Sequence, residues 1–436
     1  MSVLSVRNWD MREKFFIIIW GLKNMTTRTR AAGEGTIYQN TKRDRWEGQF
    51  SYVDPETGKT KRKMITGKGQ TEVSKKGKAF LKSIEDGLLP DADKLTVWSW
   101  IERWLADYIK PNVRVRSYEK YESTLKCYIK PKLGNVIITK LKSPDIQSVL
   151  NELLTTGGRK GTGISTSTVR MTRRYLTMAF DKAVKVGVLA KNVVKETDQP
   201  RLIKEEIHPL TAEQADQLLV VAKEGEYIYY GVKQKQKPGN DSKYLLEVAR
   251  IAVMVALNTG MRLGEVFGLK WEDIEFKGCA INVRRSLAAT STQGVIFEEP
   301  KTKGSRRRIP VTEKLIKALE RYKKEQEWLV NLLGDKYSNE GTLVFANSSG
   351  KPMNPAHFTS RYFKRMVKQT GLDDSFTFHD LRHTHATLLL KQGINIKVIS
   401  ERLGHSTITM TLDTYSHVMP DMQETAVKAL EMMDIG

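Results

Sequence analysis

The stretch FTFHDLRHTHATLLL, residues 376–390, places three histidines and one arginine within seven positions of an amphipathic helical pattern. On a helix, His379, Arg382 and His383 would share one face, because they lie three and four positions apart, whereas His385 would point elsewhere. His379 and His383 have the spacing of a helical zinc pair, but a guanidinium on the same face disfavours a divalent cation. Guanidinium and imidazole donors together suit an oxyanion, above all a phosphodiester. We therefore predict a phosphate site without a metal, with a solvated polar face as the alternative.

Upstream, the stretch NTGMRLGE, residues 258–265, places an arginine among apolar neighbours. Glu265 follows Arg262 by three positions, so on a helix it could hold the guanidinium through a paired contact. Either the arginine belongs to the same phosphate site, or the two residues form a purely structural ion pair.

Downstream, ISERLGHSTITMTLDTYSHV, residues 399–418, contains a predicted helix that ends at Gly404. His405 follows at the turn, and Tyr415 comes ten residues later on a second amphipathic segment. A tyrosine in such a position is ordinarily a core or surface residue, and only its partners make it a candidate.

Between these stretches, FEEPKTKGSRRRIPV, residues 297–311, is typical of a β-hairpin with lysines at its tip. Lys301 and Lys303 would both lie near that turn, and spacing alone does not choose between them. Such lysines are usually solvated, and they become functional only if the turn bends over a site.

The whole chain is strongly basic. Its 436 residues carry 72 lysines and arginines against 50 acids, a formal net charge of +22, which favours a polyanionic partner such as nucleic acid. The two cysteines exclude a disulfide framework and suit a reducing cytosol. The apolar run KFFIIIWGL, residues 14–22, is shorter than the ~20 residues needed to span a bilayer. We expect residues 1–33 to be an extension that is disordered or stems from a misassigned start codon.

Hydrophobic patterning predicts a multidomain chain that is mainly α with α+β parts. Residues 34–66 alternate in short runs typical of three antiparallel strands, and residues 71–86 then look helical. Residues 95–194 carry helical spacing in four segments, and the polar stretch 197–211 is a linker. The last part opens on a Thr-x-x-Gln capping box and is mostly helical. A basic stripe on the fourth helix is a candidate DNA-binding face: Arg170, Arg173, Arg174, Lys182 and Lys185.

Taken together, the motifs NTGMRLGE, HDLRHTHAT and LGHSTITMTLDTYSH resemble those of the tyrosine recombinase, or phage integrase, family. The chain is most similar to integrases of conjugative transposons and temperate phages of Gram-positive bacteria. The resemblance implies an AP2-like arm-binding domain at 34–88, a SAM-like core-binding domain at 95–196 and a mixed, mostly helical catalytic domain with a C-terminal tail at 208–436. The chain departs from the family in having KNVV at 191–194, where relatives often have NP, and in a longer segment 224–243.

The resemblance also implies the catalytic roles. Tyr415 would attack DNA to leave a 3′-phosphotyrosine, and Lys301 would protonate the departing 5′-oxygen, with Lys303 as the alternative general acid. Glu265 would support the site from behind. The remaining members of the set would bind the phosphate or move the tyrosine's proton: Arg262, His379, Arg382 and His405.

As partners, the resemblance implies double-stranded DNA with core-type and arm-type sites, three further copies of the chain joined through the C-terminal tail, and accessory bending and excision factors. Neither a cofactor nor a membrane is expected, and the expected location is the cytoplasm, associated with the nucleoid. The implied function is integration and excision of a prophage or other mobile element. A non-catalytic sequence-specific DNA-binding protein and a type IB topoisomerase-like nicking-closing enzyme are the alternatives.

Overall fold

The computed structural model describes most of the chain, in two compact units. These units are residues 1–113 with 120–203 and residues 114–119 with 204–436. The predicted extension 1–33 lies outside the described residues. Within them, no helix is long and apolar enough to cross a membrane. The described ranges are 35–54, 58–85, 90, 92–158, 161–202, 208–224, 228–229, 232–233, 240–299, 306–338, 342–415, 427 and 430–433.

The first unit begins with a small antiparallel sheet in the order β1–β2–β3. The strands are β1 Thr36–Asn40, β2 Arg45–Val53 and β3 Thr60–Gly67, and helix α1 Gln70–Glu85 follows them. Phe50 and Val73 are buried between sheet and helix. At Gly77 on α1, a Cβ would overlap the Phe50 ring, so glycine allows the helix to pack this closely. The predicted three strands and helix are confirmed.

Four longer helices form the rest of the first unit, except that the start of the second of these helices, up to Glu119, belongs to the second unit. Their bounds, with one short helix between them, are α2 Val97–Trp104 with a π-turn Leu105–Ile109, α3 Val115–Tyr128, α4 Lys130–Leu133, α5 Ser143–Thr156 and α6 Thr166–Lys185. Trp100 on α2 is buried, and its indole N–H donates to the carbonyl oxygen of Ala179 on α6 at 2.8 Å. The predicted four-helix arrangement is confirmed.

The second unit is mostly helical around one long apolar helix. It begins with the predicted capping box, in which Thr211 and Gln214 exchange hydrogen bonds of 3.0 and 3.2 Å. The first elements of the second unit are α7 Ala212–Glu224, β4 Ile228–Tyr229, β5 Val232–Lys233, α8 Asn240–Thr259 and α9 Leu263–Phe267. Helix α8 is buried along most of residues 248–256, which places it at the centre of the core.

Five strands follow in two separate antiparallel sheets, one in the order β10–β7–β6 and one formed by β8 and β9. They are β6 Ile274–Glu275, β7 Ala280–Val283, β8 Ser286–Thr290, β9 Gly294–Glu298 and β10 Arg307–Pro310. The predicted hairpin over 297–311 is therefore wrong, because β9 pairs with β8 and β10 pairs with β7. Ile309 on β10 lies opposite Ile281 on β7 and both are fully buried, so core burial selects this pairing.

The C-terminal helices form a small apolar cluster of their own. The remaining elements are α10 Glu313–Leu333, α11 Pro355–Phe358 with a π-turn Thr359–Phe363, α12 Lys364–Gln369, α13 Asp380–Lys391, α14 Ile396–Leu403 and α15 Ile408–Tyr415. Ala386 and Leu390 of α13 pack with Ile399 and Leu403 of α14 and with Tyr415. This cluster fixes the end of α15 against α13, where the motif of residues 376–390 lies.

Candidate active site

Arg382 is a buried cation with an unused donor. It lies on α13 and is 2% exposed. Its Nη1 donates to the carbonyl oxygen of Gly260 at 2.8 Å, whereas Nη2 is buried and meets no acceptor among the described residues. Burial and the nearby charge of Arg262 lower the pKa of Arg382 to about 9, so it stays charged at neutral pH. A buried, unpaired guanidinium nitrogen is costly, and a bound anion would satisfy it.

Gly260 makes this contact possible. It follows α8 with a φ of +65°, and a Cβ there would come within 2.7 Å of Cδ2 of His385. Nδ1–H of His385 donates to the carbonyl oxygen of Leu257, 2.8 Å away, and burial lowers the pKa of His385 to about 4. His385 is thus a neutral core histidine, directed away from the face of Arg382 as predicted.

Arg262 is held by Glu265, as the sequence predicts. Both the backbone N–H and Nη1 of Arg262 donate to the carboxylate at 3.0 Å. The other partner of Glu265 is Arg307 on β10, whose Nη2 lies 2.8 Å from the carboxylate. Burial alone would raise the pKa of Glu265, but Arg307 and Arg262 hold it below its ordinary value. Glu265 is therefore an ionised carboxylate shared by two arginines.

The Glu265–Arg307 pair predicts a large stability effect. The two side chains are 8% and 7% exposed, so Arg307→Met would leave a buried carboxylate with Arg262 alone. Removing one partner of a buried ion pair costs about 3–5 kcal/mol, and we expect a loss near the lower end of that range in the free energy of unfolding by urea. Arg308→Met is the matched control on the same strand. The pair of Arg308 with Glu275 is 49% and 38% exposed, so solvent screens it and its loss should cost much less than the loss of the buried pair. Equal losses for the two variants would contradict this account.

His405 lies at the turn between α14 and α15. Gly404 ends α14 with a left-handed φ of +66°, and Nδ1 of His405 lies 2.8 Å from Oγ1 of Thr411. Burial and then the charges of the three arginines described above lower the pKa of His405 to about 4. His405 is thus neutral at pH 7 and close enough to those arginines for their charges to act on it.

Tyr415 is the last residue of α15 and is 1% exposed. Its Oη lies 2.8 Å from Nδ1 of His383 on α13. Burial raises the pKa of Tyr415 to about 12, although the charge of Arg382 acts in the opposite direction. The phenol is therefore protonated at neutral pH and shares a hydrogen bond with His383.

His379 caps α13 and lies next to His383. Its position is fixed by a tight turn in which Thr377 donates its N–H and Oγ1–H to the Asp380 carboxylate at 2.6 and 2.7 Å. The rings of His379 and His383 meet edge to face with centroids 4.9 Å apart. Burial and the charge of Arg382 lower the pKa of His379. The helix begins one residue later than the predicted pattern, but the shared face is retained.

The structure therefore assembles five of the six predicted catalytic residues in one region, together with the supporting Glu265. The predicted general acid Lys301 and its alternative Lys303 lie outside the described residues. Two residues that lie in this site, His383 and Arg307, were not among the predicted site residues. Strand alternation could have identified Arg307, because it shares a face with Ile309. The helical face of His379 and Arg382 already included His383, but its tyrosine partner depends on the packing of α15.

The five residues of the predicted DNA-binding stripe on α6 differ in their contacts: three interact with other residues of the first unit, and two are exposed. Arg170 donates to the carbonyl of Pro200 at 2.7 Å, and Arg173 donates to Thr197 at 2.7 and 2.8 Å. Lys182 lies 4.1 Å over the ring of Tyr108. Of the five, Arg174 and Lys185 are exposed.

The site has the composition of an anion site. Among the described residues there is no group of three or more histidine, cysteine or carboxylate side chains placed to hold a metal ion. Instead, fixed guanidinium groups and imidazoles lie in the same region as one phenol, that of Tyr415, which contacts His383. Guanidinium groups bind phosphate oxygens with two donors each.

Family models match most of this architecture. Residues 209–422 match the phage integrase family, and residues 96–154 match the phage integrase N-terminal SAM-like domain. A XerC-like tyrosine recombinase of Caldanaerobacter subterraneus is 30% identical over 386 residues, which cover 86% of this chain and 93% of that protein. The ICEBs1 integrase of Bacillus subtilis is 29% identical, covering 67% of this chain and 73% of its own.

The fold also matches a solved integrase. The structure of the Tn1549 transposon integrase with transposon right-end DNA superposes with a TM-score of 0.61 at 24% identity. The match covers 78% of this chain and all of that one. The chain therefore shares the fold of that integrase over most of its length.

Proposed function

The chain belongs to the phage integrase family and is a site-specific tyrosine recombinase, and from this premise we propose how its own residues carry out the reaction. Tyr415 attacks a DNA phosphodiester and forms a 3′-phosphotyrosine while a 5′-hydroxyl departs. The observation that carries this proposal is the placement of the Tyr415 hydroxyl on His383, one residue along α13 from the unpaired Nη2 of Arg382.

The two catalytic arginines activate the phosphate. Arg382, fixed through Gly260, and Arg262, fixed through Glu265, neutralise the non-bridging oxygens as negative charge builds in the pentacoordinate transition state. His379 and His405 are neutral by burial and donate hydrogen bonds to the same oxygens. Because each arginine is anchored by one contact before DNA arrives, little reorganisation is needed at the moment of reaction.

The leaving 5′-oxygen requires a proton, and Lys301 supplies it in this proposal, with Lys303 as its alternative. An unprotonated alkoxide would be a very poor leaving group. The phosphotyrosine ester keeps the energy of the broken bond, so a 5′-hydroxyl of the partner strand can reverse the step without ATP. The residues so assigned need no metal ion to activate the phosphate.

The first unit supplies DNA affinity in this proposal. The sheet domain at 34–88 binds arm-type sites and the helical domain at 95–196 binds core-type sites, through charge on the phosphate backbone. Within the basic stripe, the exposed Arg174 and Lys185 make the direct phosphate contacts. Arg170, Arg173 and Lys182 shape the surface through the internal contacts described above.

Strand exchange requires four protomers on two duplexes, and we assign their association to the C-terminal tail. All of its described residues are exposed, and all except Glu431 are apolar, namely Val427, Leu430, Met432 and Met433. Exposed apolar side chains in such a cluster are typical of a surface that a second chain covers. Packing of the tail on a neighbouring protomer would thereby link assembly of the protomers to DNA cleavage.

The proposal is tested with DNA from the attachment sites of the mobile element that encodes the chain. Sequencing element–chromosome junctions in the host defines the attachment sites, and a duplex nicked beside the cleavage position then traps the covalent intermediate. We expect a protein–DNA adduct, and recombinant products from paired attachment sites. No adduct would favour a protein that only binds DNA. Relaxation of supercoils without recombinants would favour a nicking-closing enzyme.

A further inference from the structure

The contact between His383 and Tyr415 is not used by the roles assigned so far. Nδ1 of His383 lies 2.8 Å from the Tyr415 oxygen, and the two ring centroids are 5.6 Å apart. His405, the other imidazole near the arginines, has its Nδ1 engaged with Thr411. His379 meets the edge of the His383 ring. Within the described part of the chain, His383 is therefore the imidazole with a nitrogen at hydrogen-bond distance from the Tyr415 oxygen.

We propose that His383 is a further catalytic residue, whose Nδ1 accepts the phenolic proton of Tyr415 as its oxygen bonds to phosphorus. This inference rests on the proposed nucleophile and deepens it. In this inference the phenolic proton is accepted by His383, and not by His379 or His405. The Nε2–H tautomer of His383 is the one that leaves Nδ1 free to accept.

The step balances with the residues already named. The Tyr415 oxygen forms a bond to phosphorus, the bond from phosphorus to the 5′-oxygen breaks, the phenolic proton moves to His383, and the general acid gives a proton to the 5′-oxygen. In ligation the incoming 5′-hydroxyl returns its proton to the general acid, and the imidazolium of His383 returns the phenolic proton to Tyr415. No other reactant is consumed.

The environment of His383 suits a base that works only with substrate bound. The groups that face it are His379, Asp380 and Arg382 on and before its own helix, Tyr415 on α15, and His405 at the turn between α14 and α15. Burial and then the neighbouring His379 lower its pKa to about 4, so it is neutral and ready to accept a proton. A bound phosphodiester brings negative charge into this cluster, which raises the proton affinity of the imidazole. The proton is thus accepted when the phosphate is in place.

His383→Asn tests the inference. Its amide oxygen can still accept a hydrogen bond from Tyr415, but it cannot take up a proton. We expect single-turnover cleavage of the nicked attachment-site duplex to slow about 10²- to 10⁴-fold, the usual contribution of a positioned base. The rate of the variant should then rise about tenfold per pH unit above neutrality, as hydroxide replaces the base, while the wild type rises less steeply. The exposed His357→Asn is the matched control and should keep the wild-type rate and profile.

A second substrate separates this role from that of the general acid. With sulfur in place of the bridging 5′-oxygen the leaving group needs no proton, so Lys301→Ala should be rescued and His383→Asn should not. Rescue of His383→Asn, a wild-type rate, or a slowed rate with the wild-type pH profile would each overturn the inference. Binding to the same duplex verifies the fold, and His383→Gln takes the place of the first variant if that one does not bind. If the wild-type chain forms no adduct, the proposed function fails instead.

Discussion

Tyr415→Phe is expected to form no covalent adduct with a nicked attachment-site duplex while binding that duplex as the wild type does. The substitution removes only the oxygen that attacks phosphorus. The ring can stay in its cluster with Leu403 and Ala386, so the loss of one hydrogen bond to His383 should cost only about 1 kcal/mol of stability. Adduct formation by denaturing gel and affinity by mobility shift are the two measurements.

The matched control is Tyr322→Phe, which removes a fully buried hydroxyl from the same unit. Tyr322 donates to the carbonyl of Val344 at 2.9 Å and lies in the main core. We expect this variant to be about 1 kcal/mol less stable and to form the adduct at the wild-type rate. Adduct formation by Tyr415→Phe comparable to that of the wild type would mean that another side chain is the nucleophile.

Arg382→Lys is expected to lose about 10²- to 10³-fold in the rate of cleavage, the usual cost of one transition-state donor, although its charge is retained. Arg382 uses two separate nitrogens: Nη1 binds the carbonyl of Gly260, and Nη2 is left for a ligand. A single ammonium cannot reach both positions with a planar two-donor geometry. Ground-state affinity for DNA should change little, because the chain carries 72 lysines and arginines whose charge favours binding to the DNA backbone.

Single-turnover cleavage measures this effect, with Arg321→Lys as the control. Arg321 is an exposed residue of α10, and the same change there should leave the rate unaltered. Unchanged kinetics in Arg382→Lys would remove the phosphate role of this arginine. A loss confined to DNA affinity would remove its role in stabilising the transition state, since it would show an interaction made equally in the ground and transition states.

Much of the fold could be predicted because burial follows simple periods. The spacing of Trp100 and its neighbours on α2 predicts the helix, and the alternating pattern of 34–66 predicts the three strands. Which strands pair with each other was harder to predict. β9 and β10 each have a strand pattern, but their pairing depends on which apolar face the core covers. For β10 the partner is a strand far back in the sequence, because Ile309 pairs with Ile281.

The candidate site could be predicted where spacing along one helix or turn places the residues. His379, Arg382 and the Arg262–Glu265 pair are of this kind, because three- and four-residue spacing determines which side chains meet. The contact of His383 with Tyr415 is of the other kind, since it joins two helices across 32 positions. The contact of Gly260 with Arg382 is also of this second kind, because the Gly260 carbonyl oxygen that accepts from Arg382 lies after a helix that is distant in sequence.

The most direct test of convergence on one phosphate is to map the covalent link itself. The trapped adduct is digested with nuclease and protease, and the modified peptide is sequenced by mass spectrometry. The account predicts a nucleotide joined through its 3′-phosphate to Tyr415. A link to any other side chain, or through a 5′-phosphate, would contradict it.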